Sequence, residues 1–299
     1  MKTATQTHFN LACVAVFALL VGCGGGGGGV DGSGQAPSPT GGETTGGGST
    51  PPAAGGIGAA SIGGLWSASY VASNGSWIDS KVLITEDGRV FGFSVNQTNG
   101  CAGLTYGKLS ARGDTFSGSV RFAVAQWSTA GSVPACTYLD GSISGSGTVS
   151  GSVTPRTSLK VTSAGSTSAG SLLPTDTRTM QFDSLYSQPS GLPFVQGTWI
   201  GPTGNSLVIA PQSGELSSVD SSTGCKLIGT VSQIDTSYNA YSMYGTMSGC
   251  SAASSHINGA TVSGVFLVDA RSVPNKVIIG QEITLPNGTV LIAASSATR

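Results

Sequence analysis

Phe116-Ser117-Gly118-Ser119-Val120-Arg121-Phe122-Ala123-Val124 puts Phe116, Val120, Phe122 and Val124 on one parity and Ser117, Ser119 and Arg121 on the other. Alternation with a period of two is the pattern of a β-strand with one buried face. Val262, Gly264, Phe266 and Val268 repeat it further along the chain, and helical periodicity is scarcely present. Pro286-Asn287-Gly288 separates Ile283 to Leu285 from Thr289 to Ile292. Asn-Gly suits the positive φ angles of a tight hairpin turn. Short strands joined by Gly, Asn and Asp turns predict antiparallel meanders. A lone antiparallel sheet would leave two open edges and an uncovered face, so closure into a small barrel, or a sandwich, is favoured.

An internal repeat divides this β-rich part in two. Gly64-Leu65-Trp66, Cys101, Cys136 and Thr148-Val149-Ser150-Gly151 come in the same order as Gly197-Thr198-Trp199, Cys225, Cys250 and Thr261-Val262-Ser263-Gly264. Between the tryptophan and the first cysteine each copy also has an aliphatic strand and a glycine turn. These are Val82 to Thr85 with Asp87-Gly88, and Leu207 to Ala210 with Ser213-Gly214. The expected fold class is therefore all-β, with two tandem small antiparallel meander barrels or sandwiches. The first module is placed at residues 61–180, a connection at 181–196 and the second module at 197–299. Tyr186, Leu192 and Phe194 give that connection large apolar side chains among its prolines, so it is expected to dock rather than float.

The N-terminal part carries a different signal. Lys2 is followed by an apolar run, Leu11 to Val21, which is too short to cross a bilayer but of the length of a signal-peptide core. It ends in Leu20-Val21-Gly22-Cys23, which resembles the lipobox of bacterial lipoproteins. That resemblance implies cleavage before Cys23, lipidation of Cys23 as the membrane anchor, and removal of residues 1–22 together with Cys13 and His8. Gly24 follows the cysteine where an aspartate would favour inner-membrane retention, so the outer membrane is the expected location. Residues 23–60 are rich in Gly, Ser, Thr and Pro, with almost no aliphatic side chains to offset the entropy of ordering, and read as a flexible tether. A coil of this length reaches roughly 30–35 Å.

Charged residues make up only 9% of the chain, and without Lys2 there are 12 basic against 14 acidic side chains. Nucleic-acid binding needs clustered Lys and Arg and is not expected. In an oxidising compartment Cys101, Cys136, Cys225 and Cys250 should form disulfides. Of the possible connectivities, repeat symmetry selects Cys101 with Cys136 and Cys225 with Cys250. No Cys-x-x-Cys and no cysteine with histidine at ligand spacing is present, so neither a metal nor another cofactor is expected. His256 would be the one histidine of the mature chain, and no Gly-x-Ser-x-Gly elbow accompanies it. Glu86 with Asp87, or Asp176 with Asp183, could form acid and base pairs, but a turn role explains the first pair. No catalytic residue is assigned, and an enzyme is not expected.

Trp66 and Trp199 open the two copies in a Gly-x-Trp setting, which resembles the start of lipocalin and avidin-like barrels. The resemblance covers a few positions per copy, and the cysteines depart from both families. It implies a tryptophan packed across the closed end of each barrel, as plug or as wall of a ligand cavity. Trp77 and Trp127 occur only in the first copy, which makes the first module the better candidate for an apolar or aromatic ligand. Two function classes follow. One is a lipid-anchored binding protein, a monomer taking a small apolar ligand or a protein partner. The other is a structural or surface-interaction lipoprotein, adhesin-like, with filled barrels.

Overall fold

The structure is a computed structural model that describes residues 62–71, 77–97, 101–126, 136–138, 140–201, 204–221 and 223–299. Cys23, the tether and Trp127 lie outside the described residues. Two closed antiparallel barrels account for nearly all of the fold. The first runs β1 (Gly64–Val71), β2 (Trp77–Ile84), β3 (Arg89–Asn96), β4 (Cys101–Arg112), β5 (Thr115–Gln126), β6 (Ser144–Thr154), β7 (Ser158–Thr167) and β8 (Leu172–Asp183). Each strand pairs with the next, and Leu65, Trp66 and Ser67 of β1 meet Asp183, Phe182 and Gln181 of β8 to close the ring. The second barrel repeats the meander with β9 (Gly197–Ile200), β10 (Ser206–Ile209), β11 (Glu215–Val219), β12 (Lys226–Gln233), β13 (Tyr241–Ser248), β14 (Thr261–Asp269), β15 (Lys276–Thr284) and β16 (Val290–Thr298). It closes where Thr298 meets Ile200.

The sequence landmarks occupy the same topological places in both barrels. Each tryptophan lies in the first strand, fully buried, and its indole N–H donates to the carbonyl four residues earlier. The distances are 3.1 Å for Trp66 to Ile62 and 2.7 Å for Trp199 to Val195. Gly88 and Gly214 lie in the turns between second and third strands, with φ of +82° and +69°. Each accepts a 2.7 Å bond from the fourth strand, from the N–H of Leu109 and of Val231. A Cβ at either glycine would stand 2.3 Å from the carbonyl oxygen of that same residue, so no side chain fits. Both disulfides run from the start of the fourth strand to the connection between fifth and sixth. Cys101–Cys136 has an S–S distance of 2.08 Å and Cys225–Cys250 one of 2.09 Å, the pairing that repeat symmetry selects. Thr148 to Gly151 and Thr261 to Gly264 fall in the sixth strands, β6 and β14.

A third apolar cluster joins the barrels. Leu65, Leu83, Phe91, Leu104 and Tyr106 project from the outside of β1–β4 and pack with Val265, Leu267, Ile292 and Ala294 from the outside of β14–β16. These strands are therefore apolar on both faces, which is why Leu65-Trp66, Leu83-Ile84 and Val90-Phe91 are consecutive buried residues rather than alternating ones. Phe91 lies directly over Gly280, where a Cβ would come within 2.0 Å of its ring. At the rim Arg271 pairs with Asp269 at 3.1 Å and with Asp183 at 2.9 Å, tying the second barrel to the last strand of the first.

The connection is docked into this seam. β8 continues past residue 180 to Asp183, whose carboxylate accepts from the Leu185 N–H at 3.0 Å and caps a short 3-10 turn, Ser184–Ser187. Tyr186 is fully buried and stacks on Tyr238 at 5.4 Å. Leu192, in the one-turn helix α1 (Leu192–Val195), packs on the second core, whereas Phe194 is half exposed.

Tyr186 also donates to Glu86 at 2.5 Å. Burial pushes the Glu86 carboxyl above its ordinary 4.5, outweighing the opposing bond from Tyr186. The folded state thus binds a proton more readily than the unfolded one. Stability falls as pH rises from the ordinary value through the raised one. Glu86→Gln keeps an acceptor for Tyr186 and removes the buried charge. It is expected to raise stability at neutral pH and to flatten the fall above pH 4.5 in urea melts taken across the pH range.

Candidate functional site

The interior of the first barrel contains a cavity of about 290 Å³. Its base is aliphatic, formed by Val82, Ile84, Val90, Leu109, Val120 and Met180. Five of these, from Ile84 to Met180, belong with Trp66 to one buried cluster. Trp66 lies behind this base, with Phe182 edge-on at 5.4 Å, and does not line the cavity. It acts as a plug at the closed end.

Gly92, Gly103 and Gly165 are among the lining residues, and a row of glycines brings β4 to β7 close together. Register aligns Gly107 of β4 with Val120 of β5, Val120 with Gly147 of β6, and Gly147 with Gly165 of β7. The second barrel has a like pair, Gly229 beside Gly245, but Leu227, Met247 and Ala260 are fully buried in its core. At Gly107, Gly147 and Gly165 a Cβ would fall 2.2 to 2.6 Å from a backbone oxygen of the neighbouring strand, so close strand approach requires the glycines. The second interior is occupied instead. Tyr241 and Phe266 stack at 5.0 Å, and Met243 covers Gly264, where a Cβ would be 2.8 Å from its side chain.

Toward the other end the cavity becomes polar. Ser80, Ser94, Thr105 and Ser163 contribute hydroxyls, and among the described residues Asp176 and Arg178 are the only charged ones that line the cavity. They are ion-paired through Arg178 Nε and Asp176 Oδ2. The guanidinium lies 4.6 Å from the centre of the Tyr70 ring, and burial raises the Tyr70 hydroxyl above its ordinary pKa. Phe122 and Tyr138 form an aromatic corner, edge to face at 5.8 Å. Phe122 lies over Gly145 and Gly165, where Cβ atoms would meet its ring at 2.4 and 2.9 Å. Burial pushes the Tyr138 hydroxyl up to about 12, so it stays a neutral donor. Tyr138 sits two residues beyond Cys136, and the disulfide to Cys101 fixes its strand of chain beside β4.

No protein-family model matches this chain. No curated protein matches it either.

The other residues singled out by sequence are dispersed. Trp199 is buried at the closed end of the second barrel, with the Arg299 guanidinium 4.5 Å from its ring. Trp77 is on the outer face, 47% exposed, donates to Asp79 at 3.2 Å and does not line the cavity of the first barrel. Asp87 binds Thr85 and Arg89 in its turn, as a structural role requires. Glu86 turns away toward Tyr186, and Asp183 is held by Arg271, so neither carboxylate pair converges. His256 is exposed on a 3-10 turn, Ala252–Ile257. Among the described residues no cluster of His, Cys, Asp and Glu is placed to hold a metal ion. Sequence reasoning missed Arg178 and Tyr138. Arg178 had a signal: Asp176, Arg178, Met180 and Phe182 share one parity of β8, so two charges fall on the face that carries apolar side chains. Tyr138 had none, since it lies outside any strand.

Proposed function

We propose that this chain is a binding lipoprotein, anchored in the outer membrane through lipid on Cys23, which takes a small, largely apolar ligand in its first barrel. The observation that carries the reading is the difference between duplicated interiors: the first keeps a cavity of about 290 Å³ where the second is packed with Leu227, Met247 and stacked Tyr241 and Phe266. An unfilled core forfeits dispersion and hydrophobic contact, so a duplicate that retains a hollow has a use for it. An aliphatic base with a few polar groups at one end is the usual make-up of a small-molecule site. The Gly-x-Trp resemblance to lipocalin and avidin-like barrels supports the same class. The Cys23 anchor and the tether that follows it would hold the barrels clear of the bilayer, as a monomer.

The second reading is a surface-interaction lipoprotein. It draws on exposed apolar side chains on the outside of the second barrel, Ile228 and Tyr244 at 61% and 58% and Val208 and Ile200 at 38% and 46%. Native mass spectrometry of the full chain extracted from membranes separates the two. The expected result is a lipidated protein carrying a small molecule that is lost on denaturation, and a Cys23→Ala form that leaves the membrane fraction. A clean apo mass would move the assignment to these outer side chains.

A further inference from the structure

We infer, resting on the reading above, that the ligand's polar end is a neutral donor–acceptor group, a carboxamide, recognised by Asp176 and Arg178. Among the described residues these are the only charged ones lining the cavity, and each already neutralises the other. Arg178 Nε and Asp176 Oδ2 are buried atoms that face each other in the ion pair, while the two side chains remain 33% and 40% exposed. The pair still has acceptor capacity at Asp176 Oδ1 and donor capacity at the two Nη groups of Arg178. Tyr70 holds the guanidinium from one side, 4.6 Å from ring centre to Cζ, which fixes the orientation of the fork.

Consider what an apolar body of this size can carry at its end. A carboxylate would place a second anion beside Asp176, and an ammonium would place a second cation beside Arg178. Either finds a counter-charge in one partner of the pair and a like charge in the other, and so meets only one half of the free donor and acceptor set. A pure hydrocarbon would cover the remaining donors and acceptor and leave them unmet. A carboxamide does neither. Its carbonyl accepts from an Arg178 Nη while its N–H donates to Asp176 Oδ1, and both bonds are charge-assisted. Ser80, Ser94, Thr105 and Ser163 ring the same end with uncharged hydroxyls, which tolerate such a group without selecting a charge.

The test is isothermal titration of the full chain in lipid nanodiscs with octanamide, octanoate, octylamine and octane. Octanamide is expected to bind at least about tenfold more tightly than the other three, the gain of two charge-assisted bonds over none or over one half of the set beside a like charge. Val161→Phe, which fills the cavity from β7, is expected to abolish binding, with Val149→Phe as the alternative filler if the first variant does not fold. Arg178→Met leaves Asp176 as a lone anion and is expected to turn the preference to octylamine. If octanoate or octylamine binds the unaltered protein as tightly as octanamide, the head-group assignment is overturned while the cavity reading stands. If no compound binds, or if binding survives in the filled variant, the cavity reading falls and the head-group assignment with it.

Discussion

Trp199→Ala is expected to cost about 3–5 kcal/mol of unfolding free energy, and Trp66→Ala a similar amount. Both indoles are fully buried, so truncation removes a large area from the core. Each is also a latch. The N–H bonds of 3.1 Å to Ile62 and 2.7 Å to Val195 tie the first strand to the chain that enters the barrel, and truncation leaves those carbonyls unmet. Trp199 has a further partner in Arg299, which stacks on its ring and donates to the Phe194 carbonyl at 3.3 Å. Trp→Phe at either site separates the two contributions. It keeps most of the apolar volume and loses the bond, so about 1 kcal/mol of the penalty should remain. Urea unfolding followed by far-ultraviolet circular dichroism measures both series. Loss of under about 1 kcal/mol for either alanine variant would show that the tryptophan is not the plug of its barrel.

The parity of Phe116 to Val124 and the turn at Asn287-Gly288 were enough to read a meander, because strand periodicity and hairpin chemistry are local properties. The disulfides were readable for a different reason, since duplication turns three connectivities into one. Three features were not local. The hollow interior is lined from β2 to β8, with Gly92, Gly103 and Gly165 on three different strands, which only the closed register brings together. The seam between barrels was written in the doublets Leu65-Trp66, Leu83-Ile84 and Val90-Phe91, where strict alternation breaks down because both faces are covered. Trp77 misled because tryptophan suggests a cavity wall, while the inward parity of Val82 and Ile84 on the same strand places residue 77 outside. Asp176 could be read from the sequence as one of a carboxylate pair with Asp183, but its partner is Arg178, because those two share one face of β8.

Gly280→Leu is expected to undo the docking of the barrels. Phe91 lies against Gly280 so closely that even a Cβ would come within 2.0 Å of its ring, and the ring has no free side to move to, since Leu83, Tyr106, Val265 and Leu267 belong to the same cluster. Overpacking at a site this tight costs about 1–3 kcal/mol before any contact is lost. Because the seam is a continuous apolar cluster, displacing Phe91 also lifts its neighbours, so the total should exceed about 3 kcal/mol. The signature is a change of cooperativity rather than of midpoint alone. The intact protein should unfold as one unit, since Tyr186, Asn239 and the Arg271 pairs bind both barrels to the connection. The variant should show two calorimetric transitions, one for each barrel held by its own disulfide. Adding Phe91→Ala to Gly280→Leu makes room for the new side chain, and the double variant should recover at least about 1 kcal/mol over Gly280→Leu alone, a coupling that only residues in contact display. A Gly280→Leu protein that melts in a single unshifted transition would mean that the two barrels do not share this seam in solution.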